Sequence, residues 1–298
     1  MFDLDEELKK NPELKKDDIE NIKLWIAKQP HLPDVPDEMI VLFLHSCYYK
    51  IEPTKNTIDN YYTIRTTATE LFCDRNPHSE PICEALETLY VVQLPGKTPE
   101  GYDVYLSKLN RTDPKYFEGP ATMKLYNMLG DVCYKKNGVS SGILQVVDID
   151  GSSLSHVMKH NITCLRHSFI YLQEAFPVRL KGIHLLNVAP FISVFMNMIK
   201  PFVSTEVLAL IKFHEPGSDT FYEYVPKKML PKDYRGDAPS LAELQAETRK
   251  LFADHEAWFQ EDETKQRVNE SKRIGKNKSS IIANDTGLEG SFKKIEID

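Results

Sequence analysis

The sequence lacks any uninterrupted apolar run near the ~20 residues that cross a bilayer, and its first ten residues, MFDLDEELKK, are acidic and polar where a secretory leader is apolar. A cytoplasmic location is the expectation. Cysteine is sparse: Cys47, Cys73, Cys83, Cys133 and Cys164 are odd in number and show no CxxC spacing, which argues against a disulfide framework or a zinc site. Neither GxGxxG nor a Walker A loop follows a candidate strand, so no backbone is arranged to cradle a dinucleotide or nucleotide phosphate. No internal repeat, low-complexity tract or HExxH motif occurs. The formal net charge of -7 gives no global attraction to nucleic acid, and any basic site is local.

What is present is 41% hydrophobic and 27% charged residues, a balance that suits one or two globular domains with a core large enough to enclose a cavity. From Leu14 to about Phe72 the signals are helical. ELKKDDIENIKLWIAKQ lies between Pro12 and Pro30, PDEMIVLFLHSCYYK carries acids in its first turn, and PTKNTIDNYYTIRTTATELF follows. CDRNPHSEP reads as a loop. Near Gly101 the pattern changes: YDVYLSKL alternates, and GILQVVDI and GIHLLNV are short β-branched runs, each followed by a helical segment. That order predicts βαβ units and a mainly parallel sheet. After Ala242 a polar helix is expected to about Val268, followed by the basic stretch KRIGKNKSS and an alternating end, GSFKKIEID.

Several motifs have both a chemical and a plain reading. VVDIDGSSL ends an apolar strand in Asp-x-Asp-Gly, as haloacid-dehalogenase-type phosphatases do with Asp148 as nucleophile and Asp150 as acid/base. No later strand ends in the paired acids that such a site needs for Mg²⁺. The plain reading is a strand-to-helix turn capped by Asp150 and Ser152. His156 and His160, spaced i, i+4 with His167 beyond, share a helix face without a zinc motif. In FPVRLKGIHLLNVAPFISVFMNMIKPFV, residues Phe191, Ile192, Phe195, Met198 and Ile199 recur at helical spacing, and Val194 and Met196 widen the apolar surface. Ser193, Asn197 and Lys200 leave only a narrow polar stripe. Such a helix is buried between layers or is a lid over an apolar cavity. Just upstream, Arg179 and Lys181 alternate with Val178 and Leu180 and fall on one face of an extended segment. LPKDYRG is a Pro- and Gly-punctuated turn, and Ser240 with Glu243 forms a capping box that opens the next helix.

In order and spacing, VLFLHSCYYKIEPTKNTIDNYYTIR, GILQVVDIDG, FPVRLKGIHLLNVAPFISVFMNMIKPF and LPKDYRG resemble the CRAL-TRIO lipid-transfer family. The likeness is greatest to the branch of tocopherol and retinaldehyde carriers, and LEGSFKKIEID is similar to endings of insect members. The resemblance runs from about Leu14 to Leu251. It implies an α/β fold: an N-terminal helical domain over residues 1–90, a CRAL-TRIO lipid-binding domain over 91–250 with a mixed, mainly parallel sheet and an apolar cavity under a gate helix, and a polar tail over 251–298. It also implies a carrier rather than an enzyme, with no cofactor and no metal. The expected ligand is one small hydrophobic molecule, isoprenoid-like (a retinoid, a tocopherol or juvenile hormone), met at a transient membrane surface. Phospholipid or phosphoinositide transfer is the alternative, and so is an adaptor that holds a protein partner through its C-terminal tail.

The pocket residues it implies are Met123, Tyr126 and Asn127 on an early helix, Leu144 and Val146 on the central strand, Phe176, Val178, Leu180 and Ile183 around the next strand, and Phe191, Ile192, Phe195, Met198 and Ile199 on the gate. Arg179 and Lys181 match the positions of phosphoinositide contacts. His45 stands where such relatives carry an arginine, and Arg235 replaces a glycine of the family's Tyr-Gly-Gly turn.

Overall fold

A computed structural model describes residues 2–274. Six helices come first: α1 (Leu4–Lys10), α2 (Lys16–Ile26), α3 (Asp37–Ser46), α4 (Ile51–Thr67), α5 (Thr69–Phe72) and α6 (Glu80–Thr88). Then follow β1 (Leu89–Gln93), β2 (Asp103–Leu109), α7 (Gly119–Asn137), β3 (Ile143–Asp148), α8 (Leu154–Met158), α9 (Ile162–Glu174), β4 (Leu180–Leu186), α10 (Ile192–Ile199), α11 (Thr205–Ala209), β5 (Ile211–Phe213), α12 (Leu241–Asp254) and α13 (Glu256–Lys265). The sheet order is β1-β2-β3-β4-β5, with β1 antiparallel to β2 and every other neighbour parallel. Strands laid down in one direction by right-handed crossovers put the crossover helices on one face.

Strand alternation then divides the side chains. Val104, Leu106, Leu144, Val146 and Leu186 pack with Leu241 and Leu244 of α12 and with Phe221, Met229 and Leu230. Tyr105, Ser107, Gln145, Val147, Ile183 and Leu185 face the crossover helices and border a cavity. The alternation is broken once. Ile143 pairs with Leu180 but Leu144 pairs with Gly182, so β4 carries an extra residue at Lys181, and Leu180 falls on the same face as Ile183.

The segment from 251 onward is not a polar tail in its described part, a correction to the boundary drawn from composition. Phe252 and Phe259 are fully buried, and Val268 joins the core of the N-terminal helices. The expected single helix is two, broken at His255. Asp262 of α13 enters a buried ionic cluster. Arg65 on α4 grips Asp131 on α7 with two bonds, of 3.0 and 2.8 Å, and reaches Asp262 at 2.9 Å. Arg75 bonds the same two carboxylates at 2.8 and 2.5 Å, and Arg267 reaches Asp262 at 3.1 Å. KRIGKNKSS beyond Ile274 and the alternating end lie outside the described residues.

The LPKDYRG turn closes the opposite side. Its Tyr234 hydroxyl donates to Asp148 Oδ2 at 2.7 Å, Lys108 reaches the same oxygen at 2.9 Å, and Asp148 Oδ1 accepts from Asn187 Nδ2 at 2.7 Å and from the Asp150 backbone N–H at 3.0 Å. Asp148 thus ties the ends of β2, β3 and β4 to this turn, and donors within the fold engage both of its oxygens. Burial opposes its ionisation, but the bonds from Asn187, Tyr234 and Lys108 hold its carboxyl below the usual range. Gly236 is required where it stands, because a Cβ there would lie 1.8 Å from the Leu230 carbonyl oxygen. Arg235 is left-handed at φ 57°, ψ 25°. That conformation costs a residue with a Cβ ~1–2 kcal/mol, partly offset by glycine's greater freedom in the unfolded chain. Arg235→Gly is therefore expected to raise stability by about 0.5–1 kcal/mol, read as a higher denaturation midpoint. An unchanged or lower midpoint would show that the Arg235 side chain compensates the strain.

Candidate ligand-binding site

Between the helix-facing side of the sheet and α7, α8, α9 and α10 lies a cavity of about 280 Å³. Its floor is Ile143, Gln145, Val147, Ile183 and Leu185. One wall is α7, where Met123, Tyr126, Asn127 and Gly130 follow each other at i, i+3, i+4, i+7. Gly130 leaves room for Phe176, whose ring atom Cζ would lie 2.7 Å from a Cβ at that position. The far wall is Leu165, Phe169 and Leu172 on α9. The roof is α10, which turns Ile192, Phe195, Met196 and Ile199 inward and leaves Ser193, Val194 and Asn197 exposed.

The structure brings most of the expected residues to this wall: Met123, Tyr126, Asn127, Phe176, Leu180, Ile183, Ile192, Phe195 and Ile199 all border the cavity. Five do not. Leu144 and Val146 point to the α12 side, because the alternation of β3 runs one residue out of phase with the expectation. Val178 lies in the turn before β4, its N–H bonded to the Phe176 carbonyl at 2.8 Å, and faces a small crevice beside Leu42, His45 and Cys133. Phe191 is the N-cap of α10, and Met198 packs against the cluster of Leu165, Ile199 and Val203.

The polar wall residues went unforeseen, apart from Tyr126 and Asn127. Gln145 and the pair His156 and His160 border the cavity, and both imidazoles meet the Phe117 ring edge-on. The i, i+4 spacing of the histidines marked a shared face, but that face is wall. His167 instead bonds Glu70 at 2.6 Å. Ser153, not Asp150 or Ser152, is the N-cap of α8, in a capping box with His156. Burial first, and then the charge of His156, pushes the pKa of His160 down to about 4.

Arg179 and Lys181 do not border the cavity. The Arg179 guanidinium lies 4.0 Å from the Tyr48 ring centroid and its Nε donates to the His45 carbonyl at 2.8 Å, while Lys181 donates to the Tyr48 hydroxyl at 3.1 Å. The pair docks the end of α3 against the start of β4. His45 beneath it is held neutral, its pKa lowered to about 4 by burial and then by these two cations.

A sheet floor, helical walls and an apolar roof around one cavity form the architecture of a binding site for a small hydrophobic molecule. The chain belongs to the CRAL/TRIO domain family, whose match covers residues 87–236, half of its length; residues 11–82 match the Pinta-like UBA domain. Members of the CRAL-TRIO family bind and transfer lipids and other hydrophobic ligands. Among curated proteins, the chain is 24% identical to "Alpha-tocopherol transfer protein-like" of Homo sapiens over 239 residues, 79% of this chain and 69% of that protein. It is 20% identical to "Clavesin-1" of Rattus norvegicus over 236 residues, 78% and 67% of the two chains. The crystal structure of Sfh5 aligns with 70% of this chain and 74% of its own at 14% identity, with a TM-score of 0.45.

Proposed function

We propose that this chain carries one isoprenoid-sized hydrophobic molecule beneath α10 and exchanges it at a membrane surface. The observation that carries this reading is the largely apolar cavity of about 280 Å³, just below the ~300–1,000 Å³ usual for small-molecule sites. Such a volume suits a single branched chain better than a phospholipid with two acyl chains. Removing that chain from water provides the driving force, at roughly 25 cal/mol per Å² before ordering costs. The tocopherol for which one relative is named is a molecule of this class.

Membrane exchange is supported by the surface around the roof. Leu154 and Met158 on α8, Ile162 at the start of α9 and Val194 on α10 are exposed, and α8 and α9 both pack against α10. Exposed apolar side chains gathered on one rim of a cavity suit contact with lipid tails. None of the described helices is long and apolar enough to cross a membrane, so this contact would be peripheral.

Native mass spectrometry of the freshly purified chain, followed by organic extraction, tests the reading. One bound molecule per chain, of isoprenoid type, is the expected result. A protein that comes out empty and then retains no member of a panel of retinoids, tocopherols and juvenile hormones would overturn it. Stoichiometric phospholipid would move the assignment to lipid exchange of the other kind.

A further inference from the structure

Three buried nitrogens in the cavity wall have no hydrogen-bond partner among the described residues: Asn127 Nδ2 on α7, Gln145 Nε2 on β3 and His156 Nε2 on α8. Ser168 Oγ on α9, able to donate or accept, also lacks one, while other polar neighbours on the wall are satisfied. The Tyr126 hydroxyl donates to Ser107 Oγ at 2.8 Å, and Asp148 has its four donors. For His156 the proton can be located. Its Nδ1 accepts from the Ser153 backbone N–H at 3.1 Å, so the neutral ring carries its hydrogen on Nε2. All three unpartnered nitrogens are therefore N–H donors. A buried donor without a partner costs about 1–3 kcal/mol, and three around one cavity are a set that a bound acceptor would relieve.

Their positions say where on the ligand the acceptors lie. Gln145 sits mid-sheet between Tyr105 and Ile183. Asn127 lies on the α7 wall of the same cavity, one helical turn after Met123. His156, against Phe117, marks the end nearer the C-terminal tips of the strands. The charge of the ligand follows from what is missing: among the described residues no lysine or arginine borders the cavity, and the one carboxylate there, Asp148, is paired. Burial, reinforced by Lys159, lowers the pKa of His156, and His160 is also held neutral. A carboxylate ligand would lose its water with no counter-charge to meet.

We propose that the cavity selects an uncharged, oxygenated chain whose ester, ketone or ether oxygens accept from the wall donors Asn127, Gln145 and His156. This rests on the carrier reading above and adds to it a chemical class, excluding both the plain hydrocarbon and the free acid.

The test uses the full chain stripped of bound lipid and three probes on one C15 skeleton: methyl farnesoate, farnesoic acid and farnesene. The parent protein is expected to bind the ester about tenfold or more tighter than the hydrocarbon, and tighter than the acid at pH 8. In Asn127→Leu/Gln145→Met, ester affinity is expected to fall about tenfold while hydrocarbon affinity holds or rises. The melting temperature of the empty double variant should rise, because two unpartnered amides are gone. A structural role alone would move stability and binding in the same direction. Equal binding of ester and hydrocarbon by the parent, or tightest binding of the acid, overturns the selectivity and leaves the carrier reading standing; these comparisons need no variant to fold. Failure of all three probes to bind overturns the selectivity, and the carrier reading falls with it only if the retinoid, tocopherol and juvenile hormone panel also fails.

Discussion

Asp131→Ala is expected to remove about 3–5 kcal/mol of stability, a large part of the ~5–15 kcal/mol that holds a domain folded. The side chain is fully buried and accepts both nitrogens of the Arg65 fork, one nitrogen of Arg75 and the Tyr134 hydroxyl. Truncation leaves two guanidinium groups out of water with Asp262 as their only remaining carboxylate at full burial. Each lost charge-assisted bond then becomes a desolvation cost. The effect should be global, because the cluster joins α4, the loop that carries Arg75, α7 and α13.

Equilibrium denaturation of Asp131→Ala beside Glu261→Ala makes the comparison. Glu261 forms an exposed i, i+4 pair with Lys265, and its loss should stay within about 0.5 kcal/mol. A loss below ~1 kcal/mol for Asp131→Ala would mean that water or local rearrangement satisfies the arginines. The same cluster sets an acid limit. Burial alone would raise the pKa of Asp262, but the charges of Arg65, Arg75 and Arg267 overcome it and hold the group down to about 2. Its contribution is therefore complete above the unfolded value near 4 and is lost as pH falls toward 2, so denaturation midpoints should drop over that range.

This cluster also shows where sequence reading stops. Arg65 and Asp262 are 197 positions apart, and nothing local marks either as buried; in composition the last segment reads as polar, and only the closed fold brings Asp262 inward. Periodicity served well where one face meets a core over several turns. The helices between Leu14 and Phe72, the β2, β3 and β4 segments and the apolar roof were legible, whereas α1 and α6 were not read.

Phase was harder. In ILQVV both faces carry apolar residues because both faces of a parallel sheet are covered, and the one polar residue, Gln145, lies on the cavity side, so Leu144 and Val146 were placed on the wrong side. On α10 the apolar surface runs almost all the way round. Met196 and Met198 are then indistinguishable in sequence, and in the structure both pack against the Leu165–Ile199–Val203 cluster but only Met196 borders the cavity. β1 and β5 escaped notice for a related reason: LYVVQ is a short run without alternation, and β5 has only three residues.

Phe195→Asp should all but abolish ligand retention. The Phe195 ring hangs from the roof into the cavity, 5.7 Å from the His160 ring centroid, and it is only partly buried. Substitution removes ~1.5–3 kcal/mol of apolar contact with any ligand and places a carboxylate against it. With no cation lining the cavity, that charge keeps its water only while α10 stays open, so the closed, loaded state loses several kcal/mol more. Together these correspond to at least a ~100-fold loss of affinity.

Stability of the unloaded chain should change little, since an open roof lets the carboxylate reach solvent. Val194→Asp, one residue away on the exposed side of the same helix, separates roof from rim. It should retain ligand like the parent while binding less to phosphatidylcholine vesicles, because it removes an apolar contact outside the cavity. Native mass spectrometry of the two variants reads retention directly. A Phe195→Asp protein that still comes out loaded would mean that the ligand enters elsewhere and that α10 is only a fixed wall.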